Sequence, residues 1–253
     1  MTSWRGEWAV VTGASSGIGR ALARQLASEG VNLVLTARRP IEEQFGDVRV
    51  ESVQFDLAEP GAPQRLFDFT EARSIKPALL VNNAGFGAYG EFHEIDLTRQ
   101  LEMIQLNCAT VVGLTHLYLP AMVERRKGDV LIVASTASFQ AVPYQTTYAA
   151  TKAFDLIFAE GIAAEVKRFG VRVCALCPGQ TTTEFHQVAH EPIPKAMSVH
   201  SPEEVARIGL DALRRGRQYV ICGFGNRMGM ELQRIAPRSV VTSVSERLFR
   251  PRF

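Results

Sequence analysis

The hydrophobic positions of this chain fall into short apolar blocks separated by longer stretches of helical period. Glu7–Thr12, Val31–Ala37, Ala78–Val81, Gly128–Ser135, Val171–Cys177 and Tyr219–Cys222 read as strands, and Val48–Phe55 alternates as one. Between them Arg20–Glu29, Arg65–Ser74, Leu97–Arg126 and Thr146–Phe169 read as helices, the first ended by Gly30. Ser201-Pro-Glu-Glu204 opens another, with a capping serine and acids in its first turn. Pro40–Asp47 leaves room for only a turn or two of helix, Gln180–His200 has little periodicity, and the tail from Asn226 is helical and rich in arginine. Strands alternating with helices predict an α/β fold: one doubly wound parallel sheet, helices on both faces, and ligands at the carboxyl ends of the strands. No repeat or low-complexity linker divides residues 1–253, which are expected to form a single domain.

Composition narrows the function. A net charge of +2 is no nucleic-acid footprint and predicts no nucleic-acid partner. No apolar run approaches the ~20 residues needed to cross a bilayer, and the amino end lacks the form of a signal peptide, so a cytoplasmic location is expected. Cys174-Ala-Leu-Cys177 matches a C-x-x-C pattern, yet residues three apart on a strand point to opposite faces and cannot share a metal or redox site. Those cysteines are expected to fill the core. His186 and His190 are four apart, but Gln187 stands where a zinc protease needs glutamate, and no metal site is expected.

The chemistry begins where the first strand runs into Gly13-Ala-Ser-Ser-Gly17-Ile-Gly19 and then a helix. Gly13 permits a tight turn, Gly17 lets backbone approach a phosphate, and Gly19 lets helix and strand pack closely. The helix amino end offers N–H groups and partial positive charge to a pyrophosphate. At the end of the second strand, where such folds often hold an acid for a ribose 2′-hydroxyl, stand Ala37, Arg38 and Arg39. A guanidinium pair favours a 2′-phosphate, so the expected cofactor is NADP(H) rather than NAD(H). Further on, Tyr148 and Lys152 lie four apart on a helical stretch, which puts a phenol beside an ammonium. Bringing a phenol from its usual pKa of about 10 to near 7 takes roughly 4 kcal/mol, within reach of a partly desolvated charge pair. Such a tyrosine gives or takes a proton at working pH.

Taken together, these residues resemble the short-chain dehydrogenase/reductase family along nearly the whole chain. Thr12-Gly-Ala-Ser-Ser-Gly-Ile-Gly19, Asn82-Asn-Ala-Gly85, Asn107, Ser135, Tyr148 to Lys152 and Pro178-Gly179 come in the family's order and at its usual distances. The resemblance implies a Rossmann-type catalytic domain with Tyr148 as acid/base, Ser135 bonding the substrate carbonyl and Lys152 holding the nicotinamide ribose while tuning Tyr148. It implies that Asn107 supports a water-mediated proton route. Ser15, Ser16 and Ile18 belong to the glycine turn that cradles the cofactor. Asn83, Ala84 and Gly85 would line the adenosine side, Asp56 and Leu57 the adenine, and Thr181 and Thr183 the nicotinamide and phosphates. The short Pro40–Asp47 connection and the basic tail depart from the family pattern.

The expected reaction is hydride transfer between nicotinamide and a carbonyl or alcohol, in particular reduction of a hydrophobic ketone or aldehyde. Phe86, Phe139, Tyr144, Phe185 and Met197 are candidate linings for an apolar substrate, with residues 180–200 as substrate loop. Two alternatives stay open: an NAD-dependent alcohol dehydrogenase, and an NADP(H)-sensing or scaffold protein without turnover. The tail, residues 226–253, interleaves Leu232, Ile235, Val241, Val244 and Leu248 with arginines, a pattern suited to peripheral membrane contact or to covering a protein surface. Leu101, Ile104, Cys108 and Val111 suit either a core or the helix pairing by which the family forms homodimers and homotetramers.

Overall fold

A computed structural model describes residues 3–183 and 199–251. Among them seven strands form one parallel sheet in the order β3-β2-β1-β4-β5-β6-β7. These are β1 (Trp8–Thr12), β2 (Asn32–Ala37), β3 (Val50–Gln54), β4 (Leu79–Asn82), β5 (Gly128–Val133), β6 (Val171–Cys177) and β7 (Tyr219–Ile221). Alternate residues of each strand enter different cores, as the two-residue strand period requires. Val10, Val34, Leu80, Ile132, Ala175 and Cys177 join one; Val11, Leu33, Val81, Leu131, Cys174 and Leu176 join the other. Helices α2 (Ala62–Glu71), α4 (Thr110–Glu124) and α5 (Thr146–Val166) cover the first face through Leu66, Leu114, Met122 and Leu156. Helices α1 (Gly17–Ser28) and α6 (Pro202–Arg214) cover the second through Leu22, Leu26, Val205 and Leu210. The C-x-x-C thiols therefore sit on opposite sides of the sheet, and burial pushes that of Cys174 up to about 12.

The chain departs from the sequence reading in three places. The Pro40–Asp47 connection contains no helix. It is held instead by buried Phe45 and by Glu43, which pairs with Arg20 at 2.6 Å and with Arg24. The long helix of residues 97–126 runs as α3 (Leu97–Ile104), a π-helical turn at Gln105–Ala109, and α4. Its 28 residues from Leu97 to Glu124 are long and apolar enough to cross a membrane on those measures alone. Here Met103, Leu106, Leu114 and Met122 are packed into the core beside the sheet. The helical tail begins two residues before Asn226 and divides into α7 (Phe224–Gln233) and α8 (Arg238–Phe249).

At the end of the sheet opposite the strands' carboxyl ends, a buried cluster ties the chain's start to its middle. Asp129 accepts two bonds from Arg172, at 2.6 and 2.7 Å, and a third from Trp4 Nε1 at 2.7 Å. Arg214 lies over the Trp4 ring, 4.5 Å from its centroid.

Candidate active site

Strand β1 pairs with β2 on one side and β4 on the other. The connection from β1 to β2 through α1 and that from β3 into β4 through α2 cover opposite faces, which opens a crevice at the carboxyl end of β1. A cavity of about 640 Å³ occupies that crevice. Thr12, the last residue of β1, fixes its floor. The Thr12 hydroxyl donates to the Val81 carbonyl at 3.1 Å and accepts from the N–H groups of Asn83 and Ala84, each at 2.9 Å. Asn83 Nδ2 returns a bond to the Thr12 carbonyl at 2.8 Å. The turn after β1 and the turn after β4 are thus one rigid unit.

Gly13 (φ +65°) and Gly17 (φ +54°) sit in the left-handed region that side chains disfavour. A Cβ on Gly13 would lie 2.8 Å from Asn83 Nδ2, and one on Gly17 would lie 3.1 Å from Thr183 Cγ2. The Ser16 side chain makes no capping bond and the first turn of α1 holds no acid, which leaves that helix end to an outside anion. Gly13, Ser15, Ser16, Gly17 and Ile18 line the cavity, followed by Arg38 and Arg39 at the end of β2. Asp56 and Leu57 lie beyond β3, and Asn83, Ala84 and Gly85 beyond β4. Pro178, Gly179, Thr181 and Thr183, beyond β6, complete this lining. Gly19 alone of the expected cofactor residues stands behind the wall, packed against the Gly13 carbonyl.

The polar centre is built on β5 and α5. Ser135, just past β5, caps a 3₁₀ turn: its hydroxyl oxygen accepts from Ala137 N–H at 3.1 Å, which leaves its own proton for an acceptor in the cavity. Tyr148 and Lys152 stand one turn apart on α5, both nine-tenths or more buried, and both line the cavity. Lys152 Nζ donates to the Val133 carbonyl at 2.8 Å and to Asp155 Oδ2 at 3.0 Å. Lys152, expected beside Tyr148, thus belongs to a trio with Tyr148 and Asp155. Asn107 lies on the π-helical turn and does not line the cavity. Its Oδ1 accepts from Phe86 N–H at 3.2 Å, and its Nδ2 donates to the Phe86 carbonyl and the Thr151 hydroxyl, each at 3.0 Å. It braces the loop over Lys152: a Cβ on Gly85 would meet Asn107 Oδ1 at 2.9 Å and Lys152 Nζ at 3.5 Å.

Of the apolar candidates, Phe86 lines the cavity. Phe139 turns instead to the Tyr219 ring, 6.0 Å between centroids. Tyr144, with φ +66°, bonds Glu246 through its hydroxyl at 2.7 Å. Phe185, His186, His190 and Met197 lie outside the described residues. Among the lining residues that the sequence did not single out are Leu106, Thr136, Gln145, Gln180 and Phe249. Phe249 arrives because α8 docks over the mouth, where the Phe249 carbonyl accepts from the Tyr89 hydroxyl at 2.7 Å. The outer faces of α7 and α8 leave Phe224, Met228, Leu232, Val240, Val244 and Leu248 exposed.

Sheet order, glycine turn and a tyrosine–lysine helix beside a strand-end serine define a class, the oxidoreductases that hold a nicotinamide dinucleotide across such a crevice. Within it the chain belongs to the short-chain dehydrogenase/reductase family, whose short chain dehydrogenase profile matches residues 7–193. It is 30% identical over 226 residues to the 7beta-hydroxysteroid dehydrogenase of Clostridium sardiniense, covering 85% of each chain. It is 35% identical over 199 residues to the very-long-chain 3-oxoacyl-CoA reductase of Anas platyrhynchos, a match that spans 73% of this chain and 62% of that protein's length. Among solved structures it resembles a short-chain dehydrogenase from Sphingobium yanoikuyae in complex with NADPH, with TM-score 0.80 and 27% identity over 91% of this chain and 98% of the other.

Proposed function

We propose that this protein is an NADP(H)-dependent carbonyl reductase acting on a hydrophobic ketone or aldehyde. The observation that carries the reading is the convergence of Ser135, Tyr148 and Lys152 with the glycine turn on one cavity. A bound nicotinamide supplies the hydride for the carbonyl carbon. Negative charge then grows on the carbonyl oxygen, and the Ser135 hydroxyl and the Tyr148 phenol are the donors placed to meet it. The Tyr148 proton passes to that oxygen to complete the alcohol, and the reverse transfer runs the reaction toward oxidation. Lys152, with two of its three N–H donors fixed inside the protein, keeps one for a ribose hydroxyl and holds positive charge beside the phenol.

Arg38 and Arg39 at the mouth favour a 2′-phosphate and hence NADP(H) over NAD(H). For the substrate, Phe86, Leu106 and Phe249 supply an apolar lining, and the two relatives described above are named for a very-long-chain 3-oxoacyl-CoA and for a hydroxysteroid. The test is a panel of ketones and aldehydes read by cofactor absorbance with NADPH and with NADH. Tyr148→Phe should lose at least about a hundredfold in kcat and still bind NADPH. Near-parental turnover in that variant on every substrate the parent reduces would refute the assignment. We also propose that two copies pair through α3 and α5, where Leu97, Leu101, Ile104 and Ile157 are exposed while Val111 is core. A monomer in sedimentation at micromolar concentration counts against this pairing.

A further inference from the structure

We propose that Asp155 is a positioning residue for catalysis: its buried carboxylate anchors Lys152 and keeps that lysine charged beside Tyr148. The inference deepens the reading above and rests on the roles given there to Tyr148 and Lys152. Asp155 is 1% exposed, lies one turn past Lys152 on α5, and holds Lys152 Nζ at 3.0 Å through Oδ2. Its other oxygen, Oδ1, has no hydrogen-bond partner among the described residues. A carboxylate buried with half of its acceptors unused is costly, and the lysine is the partner that offsets the cost. A core position of this kind is filled more cheaply by an apolar residue, so the carboxylate points to a use other than stability.

That use follows from the lysine's surroundings. Lys152 is 6% exposed and fixed between the Val133 carbonyl and Asp155. Burial works against its charge, Asp155 and then Tyr148 work for it, and the lysine ends above its ordinary value of 10.5. Among the described residues, the other titratable groups that face the pair are Cys108 from the π-helical turn and Cys177 from β6. Burial pushes both thiols up, Cys108 to about 11, so both stay neutral at working pH. Burial raises the Asp155 carboxyl above its ordinary value and Lys152 works to lower it. The 3.0 Å contact with the ammonium is therefore what holds the carboxylate in its charged form, and Asp155 is the acid that faces Lys152 from these elements. Without it, burial works against the lysine's charge with less to offset it, and the cation's hold on the Tyr148 phenolate weakens.

The experiment compares parent and Asp155→Asn in the direction of alcohol oxidation, with kcat followed against pH and NADPH affinity followed by fluorescence. Oxidation requires the phenolate, so its rate rises with pH through the tyrosine's pKa. In Asp155→Asn that rise should move up by about one unit or more. NADPH affinity should fall about tenfold as the ribose donor loses its charge. An unmoved rise overturns the proposal, as does a rise moved to lower pH, the result expected if Asp155 merely cancelled the lysine's charge. A readout that does not depend on Asp155→Asn folding is the ¹³Cε resonance of Lys152 in the parent protein, assigned by its loss in Lys152→Met. A midpoint above 10.5 supports the proposal and one below it overturns it. Turnover of Tyr148→Phe separates the two levels: if that variant stays active the catalytic reading fails, and if it is dead while Asp155→Asn titrates like the parent, only the role of Asp155 fails.

Discussion

Gly19→Ala gives the sharpest physical test of the cofactor crevice. The added Cβ would stand 2.9 Å from the Gly13 carbonyl carbon, and closer still to its oxygen and to Asn83 Nδ2. Carbon contacts are comfortable at about 3.5 Å, so the turn and the start of α1 must separate by on the order of half an ångström or more. Overpacking of this kind costs about 1–3 kcal/mol. If Asn83 gives way, its 2.8 Å bond to the Thr12 carbonyl adds about 1 kcal/mol. A total near 2–4 kcal/mol corresponds to a fall in melting temperature of roughly 4–16 °C for a chain of this size. The displaced backbone is the one proposed to meet the phosphates, so NADPH binding should weaken by at least about tenfold. Fluorescence titration and thermal melting measure the two effects. Gly229→Ala is the control: a Cβ there meets nothing within 4 Å, and in mid-helix alanine should add about 0.5–1 kcal/mol. If Gly19→Ala bound NADPH within twofold of the parent and melted within about 1 °C of it, the account of the turn as a closely packed cradle would be wrong.

Two further outcomes are expected. Arg38→Asp should weaken NADP(H) at least about tenfold and move preference toward NAD(H) in paired titrations, because a carboxylate repels a 2′-phosphate and accepts from a ribose hydroxyl; undiminished NADP(H) affinity removes the basis for the cofactor assignment. Asp129→Asn strips the charge that meets Arg172 and Trp4 at the far end of the sheet, which should cost about 2–3 kcal/mol in urea unfolding and leave kcat unchanged.

The strands and their order of use were legible in the sequence because a parallel sheet covered on both faces writes itself as solid apolar blocks. The crevice was legible because its chemistry sits at strand ends, where Gly13, Arg38, Asn83, Ser135 and Pro178 follow the blocks directly. Asp155 was hidden: on a helix of mixed composition an acid three residues after a lysine reads as a solvated pair, and only the packing of β5 and the π-helical turn around it makes it buried. Phe249 was hidden for another reason. It reaches the cavity through contacts from Tyr89 to Phe249 and Tyr144 to Glu246 that span more than a hundred residues, and no local period encodes these. The π-helical turn left no mark either, since a single widened turn does not alter the pattern on either side.

The strand order also sets a schedule for the chain as it is made. Strand β1 can zip to β2 almost at once, Val10 beside Val34, but its other edge waits for β4, where Val10 meets Leu80. At ribosomal speeds of about 5–20 residues per second, those seventy-odd positions take about 4–14 s to emerge. For that interval Ala9, Val10 and Val11 offer a bare greasy ribbon to any neighbour, so a strand that ends in the interior of the finished sheet is, for a time, the one most in need of a chaperone.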